Sequence, residues 1–210
     1  MAVKERIMET ALRMFRLYGI RSVTMFDISK ESGVSKKTVY EHFEDKEELV
    51  LEGMKFVLNT HIEHFQVFHQ QSANAIEEMI KELEYIELMG KTINPVMLYE
   101  IQKYHPAIWE KIETFNKDCV LHGIHENLRR GIEEGLYRKD LNINIISRMR
   151  QLQLMTVFDA VQYPATHYDM HEVMEQLTKH YALGITTLEG RRIAAQFLHI
   201  TDEENTSITI

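Results

Sequence analysis

Cysteine is almost absent from this chain: Cys119 is the only one in 210 residues. That excludes an internal disulfide and a cysteine-only metal cage, and it fits a reducing compartment. Proline and glycine are scarce as well, at three and nine, and so few breaks argue for long helices. Also missing is any run near the ~18–20 apolar residues that a bilayer crossing requires. The opening Met1-Ala2-Val3-Lys4-Glu5-Arg6 lacks the apolar stretch of a secretory signal. The expectation is a cytoplasmic protein with no membrane partner. The composition, 44 % hydrophobic and 27 % charged, is that of an ordinary globular protein with a sizeable core.

The formal net charge of −8 argues against a polyanionic partner until its distribution is read. Residues 1–40 hold eight Lys and Arg against four acids, whereas the other 170 residues hold 16 basic against 28 acidic groups. A basic end on an acidic body suits a chain whose end meets phosphate, because anion binding depends on the local patch. Scatter in surface charge is the plainer alternative.

Periodicity and capping signals divide the chain into helices. Ile7, Ala11, Leu12 and Phe15 share one face of a first helix that stops at Gly19. Thr24 with Asp27 forms a capping box that opens a second, which ends at Ser32-Gly33. Ser35 caps a third, to about Phe43, and Asp45 with Glu48 opens a fourth through Phe65. Further helices are expected over Ser72–Met89, from Asn94-Pro95 to Tyr104, from His105-Pro106 to Gly135, over Asn142–Val161 and over Asp169–Leu188. No strand pattern interrupts them. The expected fold is all-α: an N-terminal three-helix helix-turn-helix domain over residues 1–46, a larger helical domain over 47–190 and a polar tail over 191–210, with about nine helices.

The third helix, SKKTVYEHF, carries the chemistry. Val39 and Phe43 face inward with Val34 and Ile28, leaving Ser35, Lys36, Lys37, Thr38, Tyr40 and His42 on the outer surface or its flanks. Ammonium groups, hydroxyls and an aromatic hydroxyl are the groups that bond phosphate oxygens and base edges. Lys46 lies in the first turn of the following helix, where backbone N–H groups favour an anion. A helical hairpin with a solvated charged face is the structural alternative. The full segment, FRLYGIRSVTMFDISKESGVSKKTVYEHFEDKEELV, resembles the DNA-binding segment of the TetR family of transcriptional regulators. The features that carry the resemblance are Phe15, Gly19, Thr24, Ile28, Gly33-Val34-Ser35, Thr38-Val39-Tyr40, His42-Phe43, Lys46 and Leu49. By that resemblance Thr24, Lys36, Tyr40, His42 and Lys46 meet backbone phosphates, and Lys37 and Thr38 reach bases. Two positions depart from the pattern: Phe26 stands where a polar or basic residue is usual, and Ser29 where alanine is.

A short reading helix needs two copies on a two-fold site to be specific. In the last expected helix Met170, Met174, Leu177, Tyr181, Gly184 and Leu188 form a seam suited to helix-on-helix packing. The helix before it, with Leu152 and Met155, is apolar almost all round and needs cover on more than one side. The resemblance implies that these two helices pair across a homodimer; burial inside a monomer is the alternative. It also implies a small-molecule effector among the middle helices, for which Tyr99, Trp109, Phe115, Met155 and Phe158 are the expected lining. The family implies a double-stranded palindromic operator as partner and, by default, repression released by the effector; the apolar lining points to a hydrophobic or aromatic compound.

Rival classes are weaker. His61/His64, His122/His125 and His167/His171 are spaced as ligand pairs, yet no Glu-x-x-His strip accompanies them, so no metal and no cofactor are expected. No nucleophile–base spacing or phosphate loop supports an enzyme. A dimeric small-molecule-binding protein that no longer reads DNA stays open, because Glu41, Glu44, Asp45, Glu47 and Glu48 collar the end of the reading helix.

Overall fold

The computed structural model describes residues 2–90, 95–157, 159, 161–164 and 166–198. Among these the fold is all-α, with eleven α-helices. The described β pairing is one isolated bridge, Tyr137 with Thr186. The helices are α1 Val3–Tyr18, α2 Met25–Ser32, α3 Lys36–His42, α4 Lys46–Gln71, α5 Ala75–Gly90, α6 Pro95–Tyr104 and α7 Pro106–Phe115, then α8 Leu121–Glu133, α9 Ile143–Thr156, α10 Met170–Ile185 and α11 Leu188–Leu198. The count exceeds nine for two reasons. A π turn, Asn116–Val120, divides the long helix expected after His105, and α11 occupies part of the stretch expected as a polar tail. α11 buries Gly190, Ala194 and Leu198, a four-residue spacing whose small members give little apolar signal.

The caps act as their residue types dictate. Thr24, Ser35, Asn142 and Asp169 each accept a backbone N–H three residues on, from Asp27, Thr38, Ile145 and Glu172. Asn74, rather than Ser72, caps α5, accepting from the N–H groups of Ile76 and Glu77. His105 makes no side-chain cap before Pro106, because its ring is engaged elsewhere. Gly33 closes α2 at φ 67°, the left-handed conformation that the tight turn requires.

The chain packs as two compact units, cut differently from the three-part division of the sequence. The first comprises the described residues of Met1–His64 and Lys91–Cys119, and the second those of Phe65–Gly90 and Val120–Ile210. The first unit is built on Ile7, Ala11, Phe15, Ile28, Val39, Phe43 and Leu49, and α6 and α7 add Ile101 and Ile108 to that same core. α1, α2 and α3 are therefore not a free-standing three-helix head.

In the second unit Tyr137 is wholly buried, and its hydroxyl donates to the carbonyl of Ala75 or the amide oxygen of Asn127, 3.1 and 3.0 Å away. Its ring lies against the backbone of α8 at Gly131, where a Cβ would stand 2.1 Å from the ring. α9 carries apolar residues on both sides, and Ile143, Ile146 and Leu154 pack on the core. Its buried residues are Ser147, Arg150 and Gln151, whereas Ile145, Met149, Leu152 and Met155 are exposed. The helix ends at Thr156, short of the expected Val161, and Val161 is exposed.

Gly131→Ala is expected to cost about 1–3 kcal/mol or more, because the ring of Tyr137 has nowhere to retreat. Gly123→Ala on the same helix meets nothing within 4 Å and should instead gain about 0.5–1 kcal/mol from helix propensity. Urea denaturation midpoints of the two variants check the pair, and equal shifts of the same sign would refute the packing argument.

Candidate DNA-reading surface

The reading surface begins at the N-cap of α3. Ser35 Oγ accepts the Thr38 N–H at 3.0 Å and shares a hydrogen bond with Thr38 Oγ1 at 2.8 Å, so both hydroxyls sit at the start of the helix. Lys36, Lys37 and Tyr40 are exposed, with Lys36 Nζ 5.7 Å from the centre of the Tyr40 ring. Lys37 is 87 % exposed along its side chain and only loosely paired with Glu41, at 3.6 Å. Thr38 and His42 are half-buried. Thr24 is exposed and tied into its capping box: its N–H and Oγ–H both donate to Asp27 Oδ2, and the Asp27 N–H donates to Thr24 Oγ1. These bonds hold the Asp27 carboxyl below the usual range. Phe26 beside them is exposed, and Ser29 is buried with its hydroxyl on the Phe26 carbonyl.

What holds this surface in place comes from elsewhere in the first unit. The turn between α1 and α2 presents backbone groups that no helix satisfies. Glu100, on α6, accepts from the N–H groups of Ile20 at 2.6 Å and Arg21 at 3.1 Å. Lys46, on α4, donates to the carbonyls of Ile20 and Val23, both at 2.9 Å. Burial lowers the pKa of the Lys46 ammonium, against the pull of Glu100. The Arg21 guanidinium stacks on the Tyr104 ring at 4.7 Å. Two of the three N–H groups of Lys46, a residue expected at a phosphate, thus bind the protein's own turn, and the side chain braces the entry to α2 from inside.

The acidic collar is likewise engaged. Asp45 Oδ1 accepts the Glu48 N–H, Glu48 Oε2 accepts the Glu44 N–H, and Glu47 Oε2 lies 2.5 Å from His105 Nδ1 at the start of α7. Glu41 faces Lys37. These bonds fix where the carboxylates point and, being mostly to neutral N–H groups, leave the negative charge of the collar in place.

The expected effector residues fall in both units. Tyr99, Trp109 and Phe115 belong to the first. Tyr99 is exposed and its hydroxyl accepts from Lys103 Nζ at 2.8 Å. Trp109 Nε1 donates to Glu113 at 3.0 Å. The Phe115 ring lies 6.1 Å from that of His61. Met155 is in the second unit and exposed, and Phe158 lies outside the described residues. In the expected dimer seam the structure turns Met174 and Tyr181 inward, 2 % and 3 % exposed, because α10 packs that face on its own unit. Met170 and Leu177 are half-buried, Leu152 and Gly184 are exposed, and Leu188 is exposed but opens α11.

Among the described residues no group of three or more His, Cys, Asp and Glu is placed to hold a metal ion. His171 faces Glu87 and His125 faces Glu126. Cys119, in the π turn, is half-buried, and burial with the Asp118 charge raises its thiol pKa, which disfavours the reactive thiolate. No helix among the described residues is long and apolar enough to cross a membrane.

Residues 7–52 match the model of a family described as bacterial regulatory proteins, tetR family. The chain is 25 % identical over 190 residues to YvaF of Bacillus subtilis, an uncharacterized HTH-type transcriptional regulator, covering 88 % of this chain and 96 % of that one. It is 28 % identical over 149 residues to the HTH-type transcriptional repressor KstR2 of Mycobacterium tuberculosis, covering 68 % and 72 %. Among solved structures it resembles ketosteroid transcriptional regulator KstR2 of that organism, with a TM-score of 0.58 at 24 % identity over 89 % of this chain and 96 % of that one. It also resembles a putative transcriptional regulator from Saccharomonospora viridis in complex with choline, with a TM-score of 0.73 at 18 % identity over 88 % and 97 %. At these identities the solved structures speak for the fold alone.

Two expectations follow from the first unit. Glu100→Ala leaves the buried Ile20 N–H without its acceptor and is expected to cost about 1–3 kcal/mol, read from a chemical denaturation curve. His61 is held down to about 4 from 6.5, first by burial and then by His64 and Arg16. Between those pH values the unfolded chain binds a proton that the folded chain refuses, so stability falls as pH drops. His61→Leu should flatten that part of the melting-temperature profile; an unchanged slope would show that His61 is not its source.

Proposed function

We propose, from the premise that this chain belongs to the TetR family of transcriptional regulators, that it is a dimeric repressor. In this reading it binds a palindromic operator and is released by a small, hydrophobic effector. One observation carries it: α3 presents Lys36, Lys37 and Tyr40 outward with their polar ends available, on a head whose own polar turn is already satisfied. Those groups suit phosphate oxygens and base edges in a major groove. Thr24, Ser35 and His42 flank them, and Thr38 sits with Lys37 at the helix start, the place from which recognition helices read bases.

Dimerisation is supported by α9. Ile145, Met149, Leu152 and Met155 recur at helical spacing on its outer face, and Leu183 and Gly184 are exposed on α10. An apolar stripe of that length facing water is what a second copy would cover. Two heads then read successive major grooves, roughly 34 Å apart. Effector binding would shift the population toward a spacing that misses them, provided it binds the two states unequally. The clamp on the turn after α1 supports such coupling, since α4 and α6 hold that turn directly and any shift of either must carry the head with it.

Operator binding, measured after selecting sites from a random duplex library, tests the whole reading. Lys36→Ala should weaken binding and lower the salt slope by about one, as expected for one lost phosphate contact. Tyr40→Phe should weaken it without changing that slope. Lys46→Met should lower thermal stability together with affinity, because it unpins the turn. Recovery of no motif by folded, dimeric, ligand-free protein would instead favour the non-reading binding protein.

A further inference from the structure

A group of polar side chains inside the second unit is used by nothing described so far. Three helices contribute to it, each through a pair spaced to share one face: Glu78 and Glu82 on α5, Arg150 and Gln153 on α9, and Thr178 and Tyr181 on α10. Arg150 is 5 % exposed. Its Nη2 donates to Thr178 Oγ1 at 2.9 Å, and the guanidinium lies 4.8 Å from the centre of the Tyr181 ring. Its Nη1 and the amide oxygen of Gln153 are both buried and have no hydrogen-bond partner among the described residues. Leaving a charged donor and a neutral acceptor in this condition is costly.

The neighbouring carboxylates do not neutralise the guanidinium. Glu78 is bound at 2.8 Å by Arg130 and at 2.9 Å by His69. Glu82 forms no ion pair with Arg150 among the described residues. Burial, and then the Glu78 charge, push its carboxyl up to about 8 despite the pull of Arg150. At neutral pH it therefore holds a proton and offers an O–H. Arg150 is left without a carboxylate partner among the described residues, with one N–H unpaired beside the unpaired Gln153 oxygen. Met79, Leu83, Val157 and Met174 make the same interior apolar.

We propose that Arg150, Gln153 and Glu82 anchor the polar end of a ligand inside the second unit, and that the ligand is a monocarboxylate with an apolar tail. The carboxylate takes the free Arg150 N–H, which is the charge-assisted pairing that guanidinium geometry favours. Glu82 donates to its second oxygen, and the Gln153 amide donates or accepts according to the substituent beside the carboxylate. A cationic ligand is excluded by the unneutralised guanidinium, and a wholly apolar one would leave Arg150 and Gln153 unpaired. This rests on the effector-responsive reading above and names the effector's class.

Calorimetric titration of the full-length protein, without DNA, tests it with decanoate, phenylacetate and hexanoate against decanamide and decylamine. At least one carboxylate is expected to bind and raise the melting temperature, while the matched amide and amine do not. Arg150→Met should weaken that carboxylate by about tenfold or more, with the unliganded melting temperature kept or raised, because an unpaired buried charge is removed. Gln153→Leu and Glu82→Gln, each removing less, should weaken binding several-fold and serve if Arg150→Met fails to fold. The proposal is overturned if no carboxylate binds, if amine and carboxylate bind alike, or if none of the three variants alters binding; the cluster is then a water-bridged structural network. Because DNA takes no part, loss of operator binding in a separate assay would sink the regulator reading and leave this result standing.

Discussion

Everything that makes α3 usable depends on satisfying the backbone of one turn, Gly19 to Val23. A chain that leaves one helix and enters another within six residues must leave N–H and C=O groups uncovered, and buried groups of that kind must find partners. Here they find charged ones. Glu100 takes two N–H groups and Lys46 takes two carbonyls. Charge-assisted bonds of this sort are stronger than neutral ones and more demanding in direction. The orientation of α2, and through it of α3, is therefore set by two side chains on other helices, α4 and α6. Gly19 belongs to the same device: at φ 81°, a Cβ there would stand 3.1 Å from the Glu100 carboxylate.

That dependence has a functional side. A head held only by its own three helices would be indifferent to what happens in the rest of its unit. A head pinned by α4 and α6 is not, since a displacement of either helix must break or drag four hydrogen bonds. His105, which links the start of α7 to Glu47 on α4, extends the same polar seam. Two well-separated arrangements of such a seam are easier to reach than a continuum between them, because half-made bonds to buried charges are costly.

Much of the local structure was legible because capping and turn chemistry act over three or four residues. Thr24, Ser35, Asn142 and Asp169 start helices where their side chains reach the next turn's N–H, and Gly33 stops one where φ must be positive. The all-α class and the outward polar face of α3 follow from the same short-range rules. Lys46 and Glu100 show where those rules run out. Nothing near Glu100 in the chain announces that its partners lie 80 residues away, and a lysine in the first turn of a helix next to a reading helix looks like a phosphate contact. Periodicity also identifies which residues share a helix face without saying which face meets water. On α9 the larger apolar face is the exposed one, and on α10 Met174 and Tyr181 turned to their own core.

α9 connects two features that would otherwise be unrelated. With Ile145, Met149, Leu152 and Met155 turned outward, the inner side of α9 carries Ser147, Arg150 and Gln151 into the core between Ile143, Ile146 and Leu154. Evolution had simpler means of filling that space, since replacing buried charges by well-packed apolar side chains is often neutral or stabilising. Thr178 and Tyr181 accommodate the guanidinium without neutralising it. A buried guanidinium with an unpaired N–H suits a site whose partner arrives from outside, as stability is commonly given up where function needs it. One helix then has two jobs on its two sides: its apolar face is free for a second copy of the chain, and its polar face is free for a small anion. A ligand that pulls on Arg150 pulls on the helix whose outer face is proposed to meet a second copy of the chain.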